Sequence, residues 1–258
     1  MNKKLKYKII IGILFFIIIQ LWIIYKLSIK RKPPPLIKAK IAIVLDDWGY
    51  NLDNFYILKD IHQPLTLAIL PHLNYSQQIA RLAKSADKEL ILHLPLEPKK
   101  SNDYLGWEKF TITVDMSEAK IKEILLKALE NLELVKGVSN HMGSRATEDE
   151  RTMSVIFKEL KRRDLYFLDN YVTAGSICRK LANKLSLKFV VRDVFLDNEK
   201  NADYIKNQLK KLKNIALNKG KAVGVGHSHP LTLKVLKEEI PKIEKEGFEF
   251  VFLSELVK

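Results

Sequence analysis

An α/β barrel is the fold this sequence predicts, on three observations. Apolar runs of strand length recur through residues 41–258, segments with helical spacing separate them, and histidines and aspartates gather where the apolar runs end. Continuous apolar runs signify parallel strands covered on both faces. Seven or eight βα units in about 215 residues suit a (β/α) barrel, complete or one unit short, better than two small domains. A doubly wound open sheet is the alternative. No glycine-rich phosphate loop follows the first strand and no Walker lysine is present, which counts against a nucleotide-binding version.

Taken in chain order, residues 1–30 read as a basic leader and membrane anchor. "MNKKLKYK" precedes "IIIGILFFIIIQLWIIY" (9–25), an apolar run of about bilayer-spanning length. A cleaved signal peptide is the rival, but its apolar region is usually shorter and followed by small residues, whereas "KLSIKRKPPP" follows here. Basic residues flank both sides of the run, so charge does not set its orientation. Residues 31–40 form a Pro/Lys-rich linker stiffened by Pro33, Pro34 and Pro35.

The barrel is assigned to residues 41–258. Its strands are expected at 41–45, 65–70, 89–94, 137–140, 165–168, 188–191, 222–226 and 248–253, where runs such as "IAIVL", "ELILHL" and "AVGVG" stand. Helices are expected at 118–134, with Ile121, Ile124, Leu125, Ala128, Leu129 and Leu132 on one stripe, and at 148–163, with Met153, Ile156, Phe157 and Leu160 facing inward. Thr147 and Glu150 have the spacing of a capping box for the second of these. Further helices are expected near 201–217 and 231–246.

The formal charge is +14, but residues 1–40 hold ten Lys/Arg and no acid. The remainder carries 34 basic and 30 acidic residues, an ordinary solvated surface, and this argues against nucleic-acid binding. A single cysteine, Cys178, excludes an internal disulfide and a Cys-based zinc knuckle.

Function is read from the strand ends. Asp46 and Asp47 follow the first strand, His72 the second, His93 lies near the end of the third, and His141 follows the fourth. Asp169, Asp193 and His227 follow the fifth, sixth and seventh, and His229 lies two residues further on. In a barrel such ends converge on one mouth. Adjacent carboxylates repel unless a cation, a proton or a strong donor offsets them. A cluster of Asp and His without Cys suits Zn²⁺ or another first-row divalent ion. One acid of the pair would then ligate the metal while its neighbour takes a proton from water. The plainer reading makes Asp47 a helix cap and Asp46 a partner of the backbone.

Seven segments, "IAIVLDDWGYN", "LTLAILP", "ELILHLPLEP", "SNHMGSRAT", "YFLDNYVT", "VRDVFLDN" and "AVGVGHSHPLT", resemble in order the motifs of the divergent polysaccharide deacetylase family. The resemblance implies a distorted (β/α)₇ barrel and a metal-dependent carbohydrate deacetylase that hydrolyses an N- or O-acetyl group. It implies Asp47, His93 and His141 as metal ligands, Asp46 as base and His227 as acid. Arg192 and Asp193 would orient the base or the acid, and Arg145 would hold sugar hydroxyls or an anionic group. Characterised deacetylases take both ligand histidines from one H-x-x-x-H segment. Here Glu97 stands four residues after His93, as a substitute ligand, a substrate contact or part of a proline-fixed turn. Asp169 and His229 are further substrate-binding candidates, and the extra His in "GHSHP" opens the assignment of the acid.

Trp48, Tyr50, Tyr104, Trp107 and Tyr171 are candidates for stacking on sugar rings, with loop packing as the alternative for Tyr104 and Trp107. The partners expected are therefore a polysaccharide or peptidoglycan and, through the N-terminal helix, the cytoplasmic membrane, with the domain on the extracytoplasmic, periplasmic side. A non-catalytic glycan-binding or envelope-assembly protein on the same fold is the alternative function. A metal-dependent phosphoesterase ranks third, because the strand ends carry few Arg/Lys.

Overall fold

The computed structural model describes residues 2–28, 37–99 and 109–258. The chain divides into two compact units, Met1–Leu36 and Ile37–Lys258. Pro33–Pro35 of the expected linker, and Tyr104 and Trp107, lie outside the described residues.

The first unit is one helix, α1 (Lys3–Ser28). An 18-residue window within its Lys3–Lys26 portion has a mean hydropathy of 2.4 and no buried side chain. At about 1.5 Å per residue it is longer than a hydrocarbon layer of about 30 Å. Among the described residues it is the one helix long and apolar enough to cross a membrane, a property that anchors and N-terminal signal sequences share.

The second unit is built on parallel strands: β1 (Ala39–Trp48), β2 (Thr66–Ile69), β3 (Glu89–Leu96), β4 (Gly137–Met142), β5 (Tyr166–Asp169), β6 (Phe189–Val191), β7 (Val194–Phe195), β8 (Lys221–His227) and β9 (Phe248–Phe250). They pair in the order β6-β5-β4-β3-β2-β1-β8-β7. Although β6 and β7 end this path, only Arg192 and Asp193 separate them in the chain. The extended segment 189–195 therefore pairs first with β5 and then with β8. It makes the sheet curl into a distorted barrel whose seven staves are β1 to β5, the split stave β6/β7, and β8. The expected strand 248–253 is shorter, and pairs only with Ala39–Ile41 at the start of β1.

Helices α2 (Phe55–Leu58), α3 (Ser76–Ser85), α4 (Glu118–Asn131), α5 (Glu150–Arg162), α6 (Cys178–Leu185), α7 (Ala202–Lys219) and α8 (Pro230–Lys245) lie between the strands. The stripes expected on α4 and α5 are buried in the main core, against the outward-facing strand residues. The capping box does not form. Asp149 caps α5 by accepting from Thr152 N, while Thr147 lies in a preceding 3₁₀ turn and donates to Gly143 O. α3 escapes the periodicity reading because only Ser76, Ile79 and Ala83 of its ten residues are buried.

Alternation along each strand sorts the lumen into layers. Ala42 and Val44 of β1, Ala68 of β2, Ile91 of β3, Leu168 of β5, and Val223 and Val225 of β8 form an apolar middle. Toward the strands' amino ends Glu89 accepts from Thr66 Oγ1, Tyr166 OH and Ser254 N. Toward the carboxyl ends, two residues past that apolar layer, stand Asp46, His93, Asn170 and His227, with His141 two past Ser139.

Candidate metal centre and active site

A regular strand sends neighbouring side chains to opposite faces, so it cannot aim both Asp46 and Asp47 at one centre. β1 solves this with a bulge. Leu45 and Trp48 of β1 pair with Leu67 and Ile69 of β2, so β1 carries one extra residue there. Asp47 takes it up with φ +63°, a left-handed conformation that costs a non-glycine residue about 1–3 kcal/mol. Both carboxyls then face the lumen's end, Asp46 buried and Asp47 partly open.

Two imidazole nitrogens converge on Asp47. Its Oδ1 lies 3.3 Å from His93 Nε2 and 3.2 Å from His141 Nδ1, and the three ligand atoms all fall within 4.8 Å of one another. Charge-assisted hydrogen bonds are shorter, about 2.7–2.9 Å. Donors at about 2.0–2.1 Å from one tetrahedral ion stand about 3.3 Å apart, so the spacing suits a shared cation. The chemistry of the set agrees: two imidazoles and a carboxylate are borderline ligands for a first-row divalent ion. His93 Nδ1 meets Ser139 Oγ at 2.8 Å, which leaves Nε2 as the nitrogen aimed at the centre.

The two acids diverge electrostatically. Burial pushes the Asp47 carboxyl up, but His141 and His93 outweigh it and hold the group well below the usual carboxylate range. For Asp46 burial wins over the attraction of His93 and raises its pKa. Asp46 Oδ2 accepts from Asn170 Nδ2 at 2.8 Å and lies 3.7 Å from His93 Nε2, whereas Asp46 Oδ1 is buried without a hydrogen-bond partner. Neighbouring carboxyls driven apart in this way suit a ligand and a proton acceptor respectively.

Across the centre, His227 Nε2 lies 3.6 Å from Asp47 Oδ2. Its Nδ1 faces Asp197 Oδ1 at 3.1 Å and, since a carboxylate only accepts, must carry the hydrogen. Asp197 Oδ2 in turn accepts from His227 N and Thr232 Oγ1. Burial pushes the His227 ring down, but Asp197 outweighs it and raises the pKa.

The remaining sequence candidates fall into different surroundings. Arg192 does not touch Asp46: it donates from Nε to Asn170 O and from Nη2 to Tyr171 O, and so fixes the loop that carries Asn170. Asp193 is not brought to the centre, because its carboxylate accepts from Val223 N and Lys219 Nζ; Asp197 is the acid beside His227. Asp169 is buried and accepts from Tyr171 N and Ser176 Oγ, which shapes the loop after β5. Glu97 accepts from Val114 N and pairs with Arg145, so the two tie the segment after β3 to the turn after β4. Trp48 is 2% exposed and packs edge-on against Phe55, so it offers no face to a sugar. His72 stacks on Phe110 and stays apart from the cluster. Cys178 is buried and its thiol is pushed up to about 12 by burial, with Asp169 adding to the effect.

Tyr50 is half exposed. With Asp47, Asn51, Asn54, Ser228 and His229 it lines a hollow of about 170 Å³ beside the centre, and the His229 ring lies 5.3 Å from that of His227. Ser139, Asn170, Asp197 and Thr232 are the residues of this site that sequence reasoning missed. The available signal for Ser139 and Asn170 was alternation, since each lies two residues from a position that faces the lumen.

The profile of the divergent polysaccharide deacetylase family matches residues 43–257. The uncharacterized protein YibQ of Escherichia coli (strain K12) is 31% identical over 206 residues, 80% of this chain and 64% of YibQ. The chain thus spans less than two thirds of that relative's length. In the crystal structure of the uncharacterized protein ATU2773 from Agrobacterium tumefaciens C58 the fold recurs with a TM-score of 0.80 at 23% identity, covering 87% of this chain and 91% of that one. The Bc1960 peptidoglycan N-acetylglucosamine deacetylase shares it more loosely, with a TM-score of 0.55 at 17% identity over 86% and 89% of the two chains. On the profile's match to nearly all of the barrel, this chain belongs to the divergent polysaccharide deacetylase family.

Proposed function

We propose that the protein is a membrane-anchored, metal-dependent hydrolase that removes acetyl groups from an envelope polysaccharide or peptidoglycan. One observation carries the reading: the bulge in β1 turns two adjacent carboxyls with opposed pKa shifts onto one centre that two imidazoles share. Asp47, His93 and His141 would hold the ion, with Zn²⁺ the best match to their donors. A divalent cation held there would supply Lewis acidity toward the acetyl carbonyl and would lower the pKa of water.

The chain's own groups account for the proton transfers. Asp46, held by Asn170 on one oxygen and unpartnered on the other, takes a proton from the water whose oxygen attacks the acetyl carbon. His227, held by Asp197, gives the proton from Nε2 to the departing sugar nitrogen or oxygen as its bond to the acetyl carbon breaks and acetate leaves. Asn51, Asn54 and Tyr50 border the hollow in which a sugar ring would lie. The peptidoglycan N-acetylglucosamine substrate in the name of the Bc1960 enzyme supports a glycan of this kind. The apolar length of α1 supports retention at the cytoplasmic membrane, and a polysaccharide substrate would call for the barrel on its outer, periplasmic face.

The test is elemental analysis of the purified full chain, followed by acetate release from N-acetylated and O-acetylated glycans. The reading expects about one first-row divalent ion per chain and acetate release that a chelator abolishes. Bound metal without acetate from any of these glycans would leave a binding protein, and no retained metal would remove the centre altogether.

A further inference from the structure

At the end of the barrel opposite the metal centre the split stave leaves a seam. The first residues of β8 and the whole of β6 border a cleft of about 420 Å³, because 189–191 pairs only with β5 while 194–195 pairs with β8. Four cationic side chains line it: Arg179 from α6, Lys219 and Lys221 around the start of β8, and Lys258. One acid, Asp193, shares the lining, and it is spent on Val223 N and the Lys219 ammonium. Lys221 donates to the Leu256 carbonyl and Arg179 lies over the Phe189 ring, so neither is neutralised by a carboxylate there. The lysines are held close enough for the Lys221 pKa to be pushed down, first by burial and then by Lys258.

Lys219 is paired with Asp193, but Arg179, Lys221 and Lys258 have no ion-pair partner among the described residues, and an oxyanion among them relieves their mutual repulsion while giving the guanidinium and ammonium groups acceptors. We propose that this seam is a phosphate-binding site, able to take the phosphate of a lipid headgroup or a free phosphate. The site is independent of the deacetylase reading, since it shares no residue with the metal centre. If the phosphate belongs to a lipid, the basic seam faces the bilayer surface and the catalytic mouth, at the other end of the staves, opens away from it.

The experiment uses the full chain in micelles of a neutral detergent and follows amide hydrogen exchange. Inorganic phosphate is titrated in one arm, and phosphatidylglycerol is added to the micelles in the other. Slowed exchange at 187–193 and 219–223 in either arm supports the site: a response to the lipid alone identifies a headgroup, and a response to both shows that the phosphate group suffices. The Arg179→Gln, Lys221→Gln pair is expected to weaken the response at least tenfold, and the exposed single change Arg179→Gln to weaken it without disturbing the fold. Lys206→Gln, on the outer face of α7, should leave it unchanged. No slowing in either arm, or an equal loss with Lys206→Gln, would overturn the proposal.

Discussion

Two carboxylates buried in the same lumen, Asp46 and Glu89, have opposite surroundings. Glu89, at the amino end, receives two hydroxyls and a backbone N–H on one oxygen, as a structural polar plug should. Asp46, at the carboxyl end, keeps one oxygen buried and unpartnered beside a strained neighbour. Backbone strain follows the same division. Asp87, Asp164 and Ser186 adopt positive φ just past the ends of α3, α5 and α6, where left-handed residues terminate helices. Asp47, His72, Met142 and Tyr171 adopt it where β1, β2, β4 and β5 finish. At the carboxyl end, unpartnered Asp46 Oδ1, His72 Nε2 and Asn170 Oδ1 coincide with this strain, a combination that the proposed chemistry would account for.

The sharpest test of this contrast is a pair of isosteric changes. Asp46→Asn should lower acetate release by about 10²–10⁴-fold, the usual worth of a general base, with bound metal retained and no fall in Tm. Glu89→Gln should do the reverse, leaving kcat near its original value while costing about 1–3 kcal/mol of stability, read as a lower denaturation midpoint. Equal effects of the two on activity would erase the distinction between the ends. Asp197→Asn should come next, reducing kcat by about 10²-fold with KM little changed, because it frees the His227 ring without removing it. Ser139→Ala should weaken metal retention by about 10–100-fold in a competition with a chelator, as loss of a ligand's supporting partner does.

The smallest effect belongs outside the lumen. Glu159 on α5 is pushed down to about 2, chiefly by Arg162 against the opposing effect of burial, with Arg163 helping. A depressed carboxyl contributes stability that is complete above its unfolded value and is lost as pH falls through its folded one. Between about pH 4.5 and 2, thermal melts of the native chain should therefore decline more steeply than those of Glu159→Gln. Activity measured near neutrality should be the same in both.

Much of the architecture was legible because parallel strands buried on both faces announce themselves as unbroken apolar runs, and α4 and α5 keep a clean inward stripe. The short elements α2 and β7 were not, since four or two residues carry no period. Asp47, His93 and His141 were readable as strand-end polar residues, and the structure does bring their side chains together. Asp197 was not, and the reason is local. The tetrapeptide FLDN occurs at both 167–170 and 195–198. In the first copy the asparagine reaches Asp46 and the aspartate braces a loop, whereas in the second the aspartate reaches His227. Identical residues take different parts because Leu168 of the first copy and Phe195 of the second pack into the lumen, so alternation turns Asn170 inward in one and Asp197 in the other.

The additional residue in β1 has a consequence for how this chain can change over time. Removing one position from the pair at 46 and 47 would restore even pairing with β2 and relieve the left-handed kink, so the barrel would fold more comfortably. The same deletion would leave a single acid where the proposed chemistry uses two. Selection for robustness alone would therefore favour a quiet scaffold, and the proposed hydrolysis supplies a reason for the irregular one.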